Sequence, residues 1–224
     1  SRVFRGSSVA TLRDFKGDVL MRKLFTLSLL GLFALAAGSA LAAGTGLGNP
    51  GFETVPAGGP GDWNTFAGGP GAVSQHSTDM PHSGTGHMDL QTGGANAFAG
   101  VFQFGAVTFP AGATVTFTGW HKSLIDPFNG TREVKIEWAG APELRVDEIG
   151  MIPTEYTQFS LSGVAPAGVT AATITYAIST FNPNQDFNNV YIDDFEVTCT
   201  PEPASLALVG LAALGLIGIR RRSK

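Results

Sequence analysis

The central part of this sequence predicts an all-β fold of sandwich or barrel type, and three observations carry that expectation. Gly- and Pro-rich turn signals recur at Gly58-Gly59-Pro60-Gly61, Gly68-Gly69-Pro70-Gly71, Gly93-Gly94, Phe109-Pro110-Ala111-Gly112 and Pro166-Ala167-Gly168. Between them lie short runs rich in Phe, Val, Thr and Tyr, some alternating with the period of two that puts successive side chains on opposite faces. No stretch from Gly48 to Cys199 sustains a helical period.

Residues 1–20 carry no sustained apolar pattern, and the chain changes character at Met21. Arg22-Lys23 gives a positive start, Leu24 to Ala37 an apolar run, and Ala40-Leu41-Ala42 a small-residue cleavage site, the three parts of a secretory signal peptide over 21–42. Such signals begin at the initiator Met, so residues 1–20 read as an upstream extension of the gene or a long leading region. No arginine pair of the twin-arginine kind precedes the apolar run, which favours the general secretion route and cleavage by signal peptidase.

Residues 43–200 have the length of one domain. The chain holds 14 basic and 18 acidic residues, but ten of the basic and three of the acidic ones lie outside this stretch. Lys122, Arg132, Lys135 and Arg145 therefore face fifteen carboxylates, a net charge of −11 that repels phosphate backbones and argues against a nucleic-acid partner. Divalent cations and uncharged ligands suit that field. Cys199 is the only cysteine, so no disulfide can form within the chain, and nothing basic nearby would activate its thiol.

Within the domain, Thr114 to Trp120 places Val115 and Phe117 on one face between threonines. Glu133 to Trp138 sends Val134, Ile136 and Trp138 one way and Glu133, Lys135 and Glu137 the other, so Trp138 reads as core. Thr173 to Ile178 and Val190 to Val197 are further strand candidates.

The chain then closes with three parts in order: Pro201-Glu202-Pro203, an apolar run from Ala204 to Ile219, and a basic cluster at Arg220, Arg221, Arg222 and Lys224. The prolines enforce an extended spacer, and the sixteen uncharged residues would make a helix of about 24 Å. That is slightly short of a hydrocarbon core of roughly 30 Å, so the helix would thin the membrane or sit in it only in transit. The arginines would then remain cytoplasmic. This order resembles the PEP-CTERM sorting signal of Gram-negative bacteria. The resemblance implies recognition by the membrane protease exosortase, removal of the tail, and release or attachment at the cell surface, often beside exopolysaccharide.

A second resemblance spans most of 43–200. Asn49-Pro50-Gly51-Phe52-Glu53 with Trp63 looks like the opening strand of galactose-binding-like jelly rolls, which include many carbohydrate-binding modules. His82-Ser83-Gly84-Thr85-Gly86-His87-Met88-Asp89-Leu90 is similar to their small-residue turn and inner strand, and Val190 to Val197 to their closing strand. The resemblance implies a jelly-roll β-sandwich with its first and last strands adjacent. It also implies a structural calcium held by Glu53 and Asp194 with backbone carbonyls around His82 to Gly84; no other cofactor is expected. The alternative is that these carboxylates are simply solvated at strand ends.

Sugar sites pair exposed aromatic faces with a few polar groups. Trp120, beside His121 and Lys122 at a strand end, is a candidate platform. Asn182, Asn184, Gln185, Asp186, Asn188 and Asn189 around Phe181 and Phe187 form an amide-rich loop able to meet hydroxyls. Its composition is first that of a turn set by backbone angles.

Catalysis has little support: no serine stands in a Gly-x-Ser-x-Gly elbow, and His76, Asp79, His82 and His87 lack zinc spacing. The expectation is an exported, non-enzymatic surface or matrix protein associated with exopolysaccharide. A purely structural matrix or adhesion protein and a glycan-processing enzyme are the alternatives. The enzyme would need carboxylates paired across a cleft, and separated acids such as Glu137 and Asp186 cannot be paired from the sequence.

Overall fold

The structure, a computed structural model, describes residues 46–181 and 187–200. The expected signal peptide over 21–42, the sorting signal with its apolar helix over 204–219, and Asn182 and Gln185 lie outside these residues. So does Asp186. Among the described residues there is no helix long and apolar enough to cross a membrane.

Among these residues ten strands form two five-stranded sheets, and every pairing is antiparallel. They are β1 (Asn64–Gly68), β2 (Val73–Ser77), β3 (His87–Thr92), β4 (Phe98–Thr108), β5 (Thr114–Ser123), β6 (Thr131–Trp138), β7 (Leu144–Ile149), β8 (Thr157–Val164), β9 (Ala171–Ser179) and β10 (Asn188–Thr200). One sheet runs β1-β4-β9-β6-β7 and the other β2-β3-β10-β5-β8, the interleaved order of a jelly roll. The four strands expected from the sequence fall inside β5, β6, β9 and β10.

Strict alternation drives the packing. Along β5, Val115, Phe117, Gly119, His121 and Ser123 are buried while the intervening residues are half-buried; β6 repeats the pattern with Arg132, Val134, Ile136 and Trp138 inward. The inner faces meet in an aromatic knot: Phe195 lies 5.3 Å from Phe52, 5.2 Å from Trp63 and 5.1 Å from Phe117, each contact edge-on. Gly119 is required there, because a Cβ would stand 2.3 Å from the Phe195 ring. The turn ahead of β5 works as its residues predict: the Ala113 N–H donates to Pro110 O at 3.1 Å, with Gly112 at φ +75.

One expectation is corrected. Asn49 to Glu53 is not a strand but a tight loop, with Asn49 at φ 46 and Phe52 at φ 51. Pro50 cannot join a ladder through its nitrogen, and its carbonyl instead accepts the Phe195 N–H at 2.9 Å. Asn49 O receives both the Phe52 N–H and the Trp63 indole. The opening segment is nonetheless next to the closing strand β10.

Candidate functional site

The outer face of the β1-β4-β9-β6-β7 sheet is built as two ridges and a floor. In β4, Ala99, Val101 and Gln103 point into the core, which turns Phe98, Gly100, Phe102 and Phe104 outward. Phe66 of β1 lies across Gly100, whose Cβ would meet the Phe66 ring at 2.5 Å. Ring centroids are 6.2 Å apart for Phe66 and Phe98, 6.0 Å for Phe66 and Phe102, and 4.8 Å for Phe102 and Phe104, the last pair crossing at 86°. A register shift between Gln103 and Val107, with Gly105 at φ +56, bulges the strand just past Phe104. Phe104 is 58% exposed and extends the ring contacts of Phe66 and Phe102 into one contiguous apolar patch.

Behind this aromatic ridge, β9 supplies a floor of short side chains: Thr175, Ala177 and Ser179 stand opposite Phe102, Gly100 and Phe98. The far ridge is charged. On β6, Lys135 Nζ lies 3.0 Å from Glu133 Oε1 and 2.8 Å from Glu137 Oε1. On β7, Arg145 pairs with Glu133 and Asp147. Burial alone would lower the Lys135 ammonium; its hydrogen bonds to Glu137 and Glu133 outweigh that and hold it above its usual range. Between the ridges is an open depression of about 310 Å³ lined by Phe66, Phe102, Phe104, Lys135, Glu137 and Thr175.

A second constellation sits where the 49–53 loop, the 82–86 turn and β10 meet. Here Glu53, His82, Gly84 and Asp194 come together. The Glu53 Oε2 accepts from the Thr85 N–H and hydroxyl, both at 2.8 Å. Asp194 Oδ2 is 2.6 Å from His82 Nδ1, and its Oδ1 accepts the Ser83 hydroxyl at 2.8 Å. Asp193, fully buried, accepts N–H bonds from His82 and Ser83, while Asp194 stands at φ 49 where β10 changes register. Burial pushes the Asp193 carboxyl up to about 6, against the pull of these N–H donors.

Gly84, at φ +59, leaves the space the Glu53 carboxylate fills. Glu53 Oε1 and Asp194 Oδ1 also flank Gly51, 3.4 and 3.3 Å from where its Cβ would stand. The 82–85 turn meets the carboxylates with N–H and hydroxyl donors. Among the described residues no three His, Cys, Asp or Glu side chains are disposed to hold a metal ion.

The other candidates among the described residues are covered or buried. Trp120 is half-buried with one face covered by His82, the rings 4.1 Å apart and 15° from parallel. His121 is corrected: it is 2% exposed, points into the core and shares a 2.8 Å hydrogen bond with the Tyr176 hydroxyl, and burial drives its imidazole down to about 3. Asn188 is fully buried, its Oδ1 accepting the Asn129 N–H at 2.8 Å, so it braces the loop ahead of β6 and is not presented to a ligand. Phe66, Phe98, Phe102 and Phe104 were not among the sequence candidates. Their one signal is that Phe98, Phe102 and Phe104 share parity on a strand whose opposite parity begins with the apolar Ala99 and Val101.

Comparisons with known proteins bear on the tail and on the fold. A family model described as the PEP-CTERM protein-sorting motif matches residues 200–222. No curated protein matches the sequence. Among solved structures, TmCBM61, in a complex with beta-1,4-galactotriose, is similar with a TM-score of 0.52 at 17% identity, covering 69% of this chain and 97% of that one. The arabinose-bound alpha-L-arabinofuranosidase MgGH51 is similar at 0.51 and 14% identity over 73% of this chain, which spans only 27% of the enzyme. The xylan-binding domain CBM22-1 of Paenibacillus barcinonensis Xyn10C has a TM-score of 0.47 at 12% identity, covering 68% of this chain and 92% of that one. The chain thus carries a PEP-CTERM sorting motif, which marks it for export to the cell surface or beyond, behind a jelly-roll sandwich similar in fold to TmCBM61.

Proposed function

We propose that this is a non-enzymatic glycan-binding protein of a Gram-negative cell surface or matrix, sorted by exosortase after transient anchoring through 204–219, with exopolysaccharide as its ligand. The observation that carries the reading is the aromatic ridge of Phe66, Phe102 and Phe104 standing across a 310 Å³ depression from Lys135 and Glu137. Ring faces accept the C–H side of a pyranose, and the opposite ridge offers donors and acceptors to its hydroxyls. The galactotriose of TmCBM61 belongs to that protein, and its likeness of fold is in keeping with this reading.

Isothermal titration with neutral oligosaccharides tests it. Phe102→Ala and Phe104→Ala are each expected to weaken binding roughly tenfold, the loss of one stacked ring. Binding unaffected by both changes would remove the depression from the account.

We also assign the expected calcium to the second constellation. Glu53 Oε1 and Asp194 Oδ1, 3.4 and 3.3 Å from where a Cβ on Gly51 would stand, would be its carboxylate ligands. Calcium would supply a cross-link between the opening loop and β10. The readout is thermal: calcium should raise the melting midpoint of the wild type and leave that of Glu53→Gln where it was.

A further inference from the structure

The domain over 43–200 has four cations, and every one is engaged. Lys122 lies over the Tyr156 and Tyr191 rings, 4.8 and 5.5 Å from their centroids, on the other sheet. Arg132 is nearly buried and pairs with Glu148. Arg145 is shared by Glu133 and Asp147, and Lys135 by Glu133 and Glu137. Among the described residues, Lys135 is the only cation lining the depression.

Anionic sugars need a cation with charge to spare. A uronate, sulfate or phosphate is received by charge-assisted hydrogen bonds from Arg or Lys, and such bonds are the strong ones because both partners are ionised. Here Lys135 is already committed to two carboxylates of its own strand. Glu143, 4.0 Å from Lys135 Nζ and 3.7 Å from Arg145, and Asp147 add further negative charge to the same ridge. An anionic glycan lying against Phe66 and Phe102 would therefore meet a surplus of carboxylates.

Position explains why the clamp is stable. Glu133, Lys135 and Glu137 are successive outward residues of one β-strand, so the two carboxylates bracket the ammonium from both sides. Lys135 and its neighbours are part-buried, with side-chain exposures of 16% for Lys135 and 17% for Glu133. Shielding of that kind weakens the screening of the Lys135–Glu133 pair, while Glu137, 35% exposed, holds Lys135 from the more open side.

We infer that Glu133 and Glu137 are specificity-determining residues: by clamping Lys135 they make the depression a site for uncharged glycans and close it to uronates and other acidic sugars. The inference rests on the glycan-binding reading and narrows its ligand to a chemical class. Uncharged sugars lose nothing by the clamp, because their hydroxyls can bond to Lys135 and Glu137 without breaking it.

The test is a gain of binding, which unfolding cannot imitate. Wild-type protein is titrated with xylohexaose, β-1,4-galactotriose and cellohexaose as neutral probes, and with oligogalacturonate and alginate oligomers as acidic ones. The wild type should bind at least one neutral probe and neither acidic one. The double variant Glu133→Gln/Glu137→Gln, which frees Lys135, should bind an acidic oligomer at least roughly tenfold more tightly than wild type, the scale of one charge-assisted contact. That gain should fade as salt is raised and vanish when Lys135→Gln is added. Wild-type protein that binds an acidic oligomer as well as a neutral one overturns the inference and leaves the glycan reading standing. So does a double variant that stays folded, read by its melting midpoint, and shows no gain toward acids. Silence toward every probe overturns the glycan reading and the inference with it.

Discussion

His82 lies flat on Trp120, ring centroids 4.1 Å apart, and holds Asp194 Oδ2 at 2.6 Å with its Nδ1. The stack joins the 82–86 turn to β5, and the contact with Asp194 joins it to β10. Tyr156 closes the group from β8's approach, its ring 5.1 Å from His82 and its hydroxyl bonded to Met80 O. Trp120 is thus a fastener between elements. Trp120→Ala or His82→Ala is expected to cost about 1–3 kcal/mol of stability, through lost stacking and a carboxylate left without its partner, with no change in glycan affinity. Urea unfolding read beside titration calorimetry separates the two effects.

Gly84 is the narrowest point of the same corner. A Cβ there would stand 1.8 Å from Glu53 Oε1, and φ +59 disfavours any side chain. Gly84→Ala should push the carboxylate off the Thr85 N–H and hydroxyl and destabilise the domain by about 1–3 kcal/mol. The denaturant midpoint checks it, and an unchanged midpoint would mean that the turn is free to shift.

Acid should unfold this domain by way of its buried histidines. Burial lowers His87 to about 4 and His121 to about 3 from the ordinary 6.5, so as pH falls below 6.5 the unfolded chain takes up two protons that the folded chain refuses. Asp193 opposes this: raised to about 6, its folded form gains a proton before the unfolded one does. Two uptakes against one leave stability falling between pH 6.5 and 4. His87 is fully buried and neither ring nitrogen has a partner. His87→Leu should therefore flatten the acid limb and leave stability at pH 7 equal or higher, since an unpaired buried polar group is removed. Melting midpoints at pH 7, 5.5 and 4 for both proteins decide it.

Processing of the tail is read by mass. Intact mass from native membrane, surface and medium fractions should show a species ending near Pro201, and the full tail should persist in a strain without exosortase. A tail retained in the wild type would make 204–219 a permanent anchor.

Much of the fold is legible in the sequence because alternation is local. Thr114 to Trp120 and Glu133 to Trp138 declare their inner faces without reference to any neighbour. The same rule extends past the end of the first run: counting on from Val115 and Phe117 by twos gives Gly119 and His121, so the pattern itself turns His121 inward. Asn49 to Glu53 fails as a strand because Pro50 and two left-handed residues bend the loop, a property the apolar pattern does not show.

The aromatic ridge is harder to see. Apart from Gln103, both parities of Phe98 to Phe104 are apolar or small, so the strand reads as buried on both sides, and only its pairing reveals that Phe66 crosses Gly100 on the outer face. The converging acids are legible through resemblance, since Glu53 and Asp194 are 141 positions apart and nothing local links them.

The most direct test of the account is an amide and side-chain NMR titration of the exported protein with a neutral oligosaccharide that binds it. Saturable shifts centred on Phe66, Phe102, Phe104 and Thr175, with the 82–86 turn and Trp120 silent, are the predicted result. Shifts centred on Trp120 and His82 with the Phe ridge silent would contradict it and move the site to the opposite sheet.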